Sequence, residues 1–101
     1  MQRRLSKEES RQRYSEGREL WNEFDPIGVA DAVDDEYDGY VGPCLRIVEA
    51  GKNVSELETH VRWVVFECMG LSETSLGLEA IKAFSQKFCE WYRTRWADTV
   101  V

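Results

Sequence analysis

Three breaks, Asp25-Pro26, Gly51 and Gly70, cut this chain into segments that each carry apolar residues at helical spacing. Proline pushes the residue before it out of the helical region, and glycine is the usual residue just past a helix end. The first segment opens at Ser6, with Glu9 three residues later in the capping-box arrangement, where each side chain satisfies an otherwise unpaired amide. Tyr14, Trp21 and Phe24, with Gly17 between them, then fall on one stripe until Asp25-Pro26 ends the helix. The third segment starts at Asn53 with Glu56 three residues on, runs through Val54, Leu57, Val61, Val64, Val65 and Cys68, and stops at Gly70. Val61–Phe66 has strand-like chemistry, but the 3.6-residue period and the cap favour helix. A fourth helix is expected from Thr74 to Ala97, with Leu78, Ile81, Phe84, Phe88, Trp91 and Tyr92 on one face.

The second segment carries an internal conflict. It is expected to begin near Asp34 or Asp35, where acid complements the positive end of the helix dipole. Its stripe is Tyr37, Tyr40, Val41, Cys44, Leu45 and Val48. Pro43 lies inside it, removing one hydrogen bond at a cost of about 3 kcal/mol in an ideal helix. Either the helix kinks at Gly42-Pro43, or residues 34–41 form a separate turn; one kinked helix is the preferred reading. Short connections favour antiparallel neighbours, so the expected fold is all-α, a single-domain antiparallel bundle of about four helices over residues 1–101. Residues 1–5 and 98–101 are expected to fray. Trp21, Phe24, Tyr37, Tyr40, Trp63, Phe66, Phe84, Phe88 and Trp91 are the expected aromatic core.

Composition excludes several functions. The longest apolar run, Trp63–Phe66, is too short to span a membrane, and the start around Arg3, Arg4 and Lys7 leads into no apolar leader, so a cytoplasmic protein is expected. A net charge of −6 disfavours nucleic acid. The three cysteines, Cys44, Cys68 and Cys89, are far apart with no CxxC, which fits reduced, buried thiols better than disulfides or zinc.

Catalytic and metal chemistry find little support. Asp34-x-Glu36-x-Asp38-Gly39 resembles the start of a calcium loop, but Leu45 stands where a bidentate glutamate is needed and Pro43 lies within it. His60 is the one histidine, and pairing with Glu56 one turn earlier on the helix surface is its expected role. There is no Gly-rich phosphate loop and no HExxH pair. Trp91, Tyr92, Arg93, Arg95 and Trp96 could stack bases, but they equally build a helix end whose arginines answer the dipole. Trp96 is the least explained by the stripe and is expected to mark an interface. No enzyme activity, cofactor or metal is expected.

The pattern Trp21-x-x-x-Asp25-Pro26-Ile27-Gly28, followed by Asp35-Glu36-Tyr37-Asp38 and later Met69-Gly70-Leu71, resembles small single-domain helical proteins of bacteria whose function is unknown. The resemblance covers most of residues 20–72 and implies a bacterial cytoplasmic protein with a helical fold. It implies no catalytic residue.

One segment is not explained by helix packing. From Glu19 to Asp38 there are eight carboxylates and no Lys or Arg. Asp31, Asp34, Asp35, Glu36 and Asp38, with Tyr37 and Tyr40 supplying contact area, are the candidate partner-binding residues. The expected function is a small acidic protein-interaction domain for a basic protein partner, in its most concrete form an immunity-type protein against a bacterial toxin. The alternatives are a homo-oligomeric structural subunit, or a metal- or small-ligand-binding domain using residues 31–38.

Overall fold

The computed structural model describes residues 3–4, 6–26, 37–71, 77–96 and 99–100. Helix α1, Lys7–Phe24, begins with the expected capping box: Glu9 N donates to Ser6 Oγ and Ser6 N to Glu9 Oε1, each at 3.1 Å. It ends at Asp25, whose backbone is left-handed (φ 43°) and whose amide closes on the Trp21 carbonyl at 2.8 Å. Helix α2 is Asp38–Glu49, a single helix containing Pro43. It starts later than expected, and residues 34–36 lie outside the described residues. Proline six residues into a helix forfeits the bond to the carbonyl four residues earlier, here that of Gly39.

Helix α3, Val54–Trp63, is capped by Asn53 Oδ1, which accepts from Glu56 N at 2.9 Å. The helix then widens into a π-helical turn, Val64–Cys68, in which Met69 N donates to Val64 O at 2.9 Å. Gly70, at φ +72°, terminates it as expected. Helix α4 is Leu78–Arg95, entered from Gly77 without a side-chain cap. Residues 74–76 of the expected fourth helix lie outside the described residues.

The all-α bundle is confirmed, and its order can be read from paired residues. Along α1, residues 13, 17 and 21 meet 49, 41 and 37 in turn, so α1 and α2 run antiparallel. On the other side Glu16, Glu23 and Phe24 meet Arg95, Lys87 and Phe84, so α1 and α4 are antiparallel too. Helix α3 packs on α2 and α4 and completes the ring. Beyond the helices, Arg3–Arg4 pairs in parallel with Thr99–Val100. These end residues, expected to fray, are thus held to one another by backbone bonding.

Trp21, Tyr37, Val41, Leu57, Val61, Ile81 and Phe88 are fully buried. Trp21 is the centre: Phe24, Tyr37, Tyr40 and Phe84 all lie within 5.8 Å of it, centroid to centroid. Ser85, the buried hydroxyl of α4, is satisfied by the Ile81 carbonyl at 2.8 Å. Two expected core residues are not core. Trp63 is 55% exposed, because it lies two residues, about 200° of helix, from Val61 on the buried stripe. Cys68 is exposed as well, against the expectation of three buried cysteines. A π turn advances each residue by less than an α turn, so Met69 instead of Cys68 packs against the core.

At Gly17, side chains of α2 and α4 both reach the surface of α1. A Cβ there would stand 2.9 Å from Val41 Cγ1 and 3.7 Å from Phe88. Gly17→Ala gains about 1 kcal/mol of helix propensity but meets a β-branched side chain with no free rotamer. The expected net loss is about 1–3 kcal/mol. In a Val41→Ala background the same change becomes neutral or stabilising, measurable as the coupling in a urea-denaturation double-mutant cycle.

Candidate functional site

The acidic segment begins and ends at a clamp. Asp25 closes α1 with its left-handed backbone, and Tyr37 stands immediately before α2. The Tyr37 hydroxyl donates to Asp25 Oδ1 at 2.6 Å, and its ring stacks on Trp21 at 5.8 Å with planes 27° apart. The two ends of residues 26–36 are therefore fastened to each other and to the core. Tyr37 is fully buried, which corrects its expected role as a contact for a partner: it anchors the segment from inside.

Asp38 is also engaged. Arg18 Nε lies 2.7 Å from its Oδ1, and Arg18 Nη2 donates to Oδ2 at 3.1 Å. Tyr14 donates its hydroxyl to the Asp38 backbone carbonyl. Burial pushes the Tyr14 phenol up, with the Asp38 charge adding to the rise and Arg18 opposing it. Absence of a nearby cation in sequence did not mean absence in space, and Arg18 came from one helix earlier. Tyr40 is half-buried beside Trp21, at 5.6 Å, and Glu23 pairs with Lys87 at 2.5 Å. Asp31, Asp34, Asp35 and Glu36 lie outside the described residues. Asp38 and Gly39 open α2 and Leu45 is buried, so the second half of the calcium-loop match is helix.

The aromatic–arginine end of α4 is organised by a residue that sequence reading passed over. Glu16 accepts from Gln12 Nε2 at 2.8 Å, Trp91 Nε1 at 2.9 Å, Arg95 Nε at 2.9 Å and Nη2 at 2.5 Å, and Trp96 Nε1 at 3.1 Å. Burial would raise its carboxyl, but the bonds from Arg95, Gln12, Trp91 and Trp96 outweigh it and hold it at about 2. Trp96 is 5% exposed and tied to this carboxylate, so the expectation that it marks an interface is corrected. The available signal was positional: Glu16 neighbours the α1 stripe while two indoles and an arginine crowd the end of α4.

No known protein family, curated protein or solved structure matches the chain.

A buried charge lies on α1 within one turn of Glu16. Arg13 is 6% exposed, pairs with Glu49 of α2 and rests over the Tyr92 ring of α4 at 6.0 Å. Burial pushes the Tyr92 phenol up, Glu49 adds to the rise and Arg13 opposes it. The Cys44 thiol, buried, is pushed up to about 12, and burial raises Cys89 as well, so both stay protonated and inert at neutral pH. His60 does not pair with Glu56, whose carboxylate lies 4.0 Å from Lys52. Burial, then the charge of Arg46, holds the imidazole below its ordinary 6.5. Among the described residues no cluster of three or more His, Cys, Asp or Glu side chains could hold a metal, and no helix is long and apolar enough to cross a membrane.

Two pH dependences follow. The Glu16 carboxyl is depressed on folding, so its stabilisation is complete above the ordinary carboxylate range and is lost as pH falls towards 2. Glu16→Gln keeps one acceptor and loses the charge; thermal or urea unfolding at neutral pH is expected to show a loss of about 1.5–3 kcal/mol and a flatter acid limb. His60 is also depressed, so folding loses stability as pH falls from 6.5 through its lowered value. A His60→Asn variant is expected to lack that step in a melting-temperature series between neutral and mildly acid pH.

Proposed function

We propose that this chain is a small acidic protein-interaction domain that presents residues 26–36 to a basic protein partner. The observation that carries the reading is the Tyr37–Asp25 clamp stacked on Trp21. It fastens both ends of a segment that contains Asp31, Asp34, Asp35 and Glu36 and no lysine or arginine. Fixing the ends of a binding segment lowers the ordering cost of binding, and a net charge of −6 steers a cationic partner towards it. In this scheme Tyr37 and Asp38 anchor the end of the segment to α1, and Tyr40 packs beside Trp21.

The most concrete form is an immunity-type protein that covers the basic site of a bacterial toxin in the cytoplasm. Its small size and its acidity support it. Capture of basic proteins by the tagged chain is the test, performed at salt concentrations well below and well above the point where the Debye length falls to about 8 Å. A variant with Asp31, Asp34 and Asp35 changed to Asn and Glu36 to Gln is expected to fold normally and lose the capture. Retention that is indifferent to both salt and the four substitutions would sink the reading. Tyr37→Phe, with the acids intact, is expected to weaken capture several-fold by freeing one end of the segment.

A further inference from the structure

Between α1 and α4 the surface of the bundle is grooved. The apolar part of the groove is a cavity of about 290 Å³, with Leu20 and Phe24 of α1 on one side and Ala80, Ala83 and Phe84 of α4 on the other. Ala80 and Ala83 are exposed and small, so another backbone can come close to α4 there. Glu23 and Lys87 also line this cavity and pair across it at 2.5 Å. Lys87 is shared with a second cavity of about 370 Å³, which continues along α4 past Glu90, Trp91, Thr94 and Arg95. From Ala80 to Thr94 the groove follows α4 for about 21 Å, the length of four helical turns.

Acid stands on both lips. Glu19 is one turn before Glu23 on the exposed side of α1. On α4, Glu79 and Glu90 lie four residues before and seven after Ala83, which puts them on its face, and both are exposed. No described cation pairs with Glu19, Glu79 or Glu90. The two cations that line the groove are already engaged, Lys87 by Glu23 and Arg95 by Glu16. The unanswered charge around the apolar floor is therefore negative.

We propose that this groove receives an amphipathic helix of a basic partner protein, its apolar row on the floor and its lysines or arginines on either flank reaching Glu19, Glu79 and Glu90. That the partner is basic rests on the function proposed above; the docking element and its place go beyond it. A furrow between two antiparallel helices is a shape into which a third helix packs, and a helix arrives with its own backbone bonds made. An extended peptide would seek backbone partners that α1 and α4 have already spent within themselves. The Glu23–Lys87 pair is more than half exposed and weakly held, so an arriving helix can part it. Glu23 then takes a partner cation, and the methylenes of Lys87 lie along the apolar row. Phe24 lines the groove and precedes Asp25, the fixed point of the clamp, so the groove adjoins the place from which residues 26–36 set out.

The full chain, isotope-labelled for NMR, is titrated with a capped leucine–lysine peptide of about four turns whose leucines repeat at helical spacing. Parallel titrations use a peptide of the same composition with its leucines dispersed, and a leucine–glutamate peptide of the first pattern. Saturable shifts at the Ala80 and Ala83 methyls and at Leu20 are expected with the first peptide alone. Ala83→Gln, at an exposed position and checked by its unaltered melting, places an amide on the floor and is expected to weaken binding by about tenfold. Glu79→Gln combined with Glu90→Gln is expected to weaken it several-fold and to reduce its salt dependence. The variant neutralised at Asp31, Asp34, Asp35 and Glu36 is expected to keep the Ala80 and Ala83 shifts, so the groove is tested independently of the acidic segment. An equal response to either control peptide, an Ala83→Gln variant that binds unchanged, or shifts that vanish with the four acidic-segment substitutions would each overturn the proposal.

Discussion

The bundle is organised around the indole of Trp21. It sits on α1, which runs antiparallel to α2 on one side and α4 on the other, and it touches aromatic rings from both sides. Burying a side chain of this size is worth on the order of 3–5 kcal/mol against truncation to alanine. One turn earlier, Gly17 leaves the α1 surface bare so that Val41 of α2 and Phe88 of α4 can pack against it. The clamp on the acidic segment depends on the same ring, since Tyr37 reaches Asp25 only because it lies flat against Trp21. Core and candidate site are therefore one construction: the segment is held by the residue that holds the fold.

Charge in this protein is arranged by helix pairing instead of by sequence neighbourhood. Glu16, Glu23 and Asp38 each find their cation on another helix, at Arg95, Lys87 and Arg18. The Lys87 pair is more than half exposed and contributes little by itself, since exposed ion pairs are worth about 0–1 kcal/mol. Glu16 differs because its carboxylate is largely enclosed and answers several donors together. A carboxylate in that position fixes the end of α4 against α1 by direction as well as by attraction.

Helix limits were largely legible in the sequence because their causes are local. Ser6 with Glu9, Asn53, Asp25-Pro26 and Gly70 act within four residues of themselves, and all appear where expected. Residues whose fate depends on a distant partner were misjudged. Trp96 looked surplus to its own stripe because Glu16 is eighty residues away. Tyr37 looked available because its partner Asp25 stands twelve residues earlier. Trp63 is the exception: its spacing from Val61 placed it outside, and its size argued it inside. Cys68 was misplaced by a π turn, for which a run of Val-Val-Phe carries no local signal.

The four tryptophans occupy three kinds of surroundings: the core for Trp21, a mostly exposed surface for Trp63, and one shared carboxylate for the half-buried Trp91 and the buried Trp96. Intrinsic fluorescence is therefore spatially resolved in this molecule without any label. The red edge of its emission reports the α3 surface alone. Changes in the shorter-wavelength light follow the interior and the α1–α4 junction, so opening of the seam and occupation of the surface would be seen as different colours.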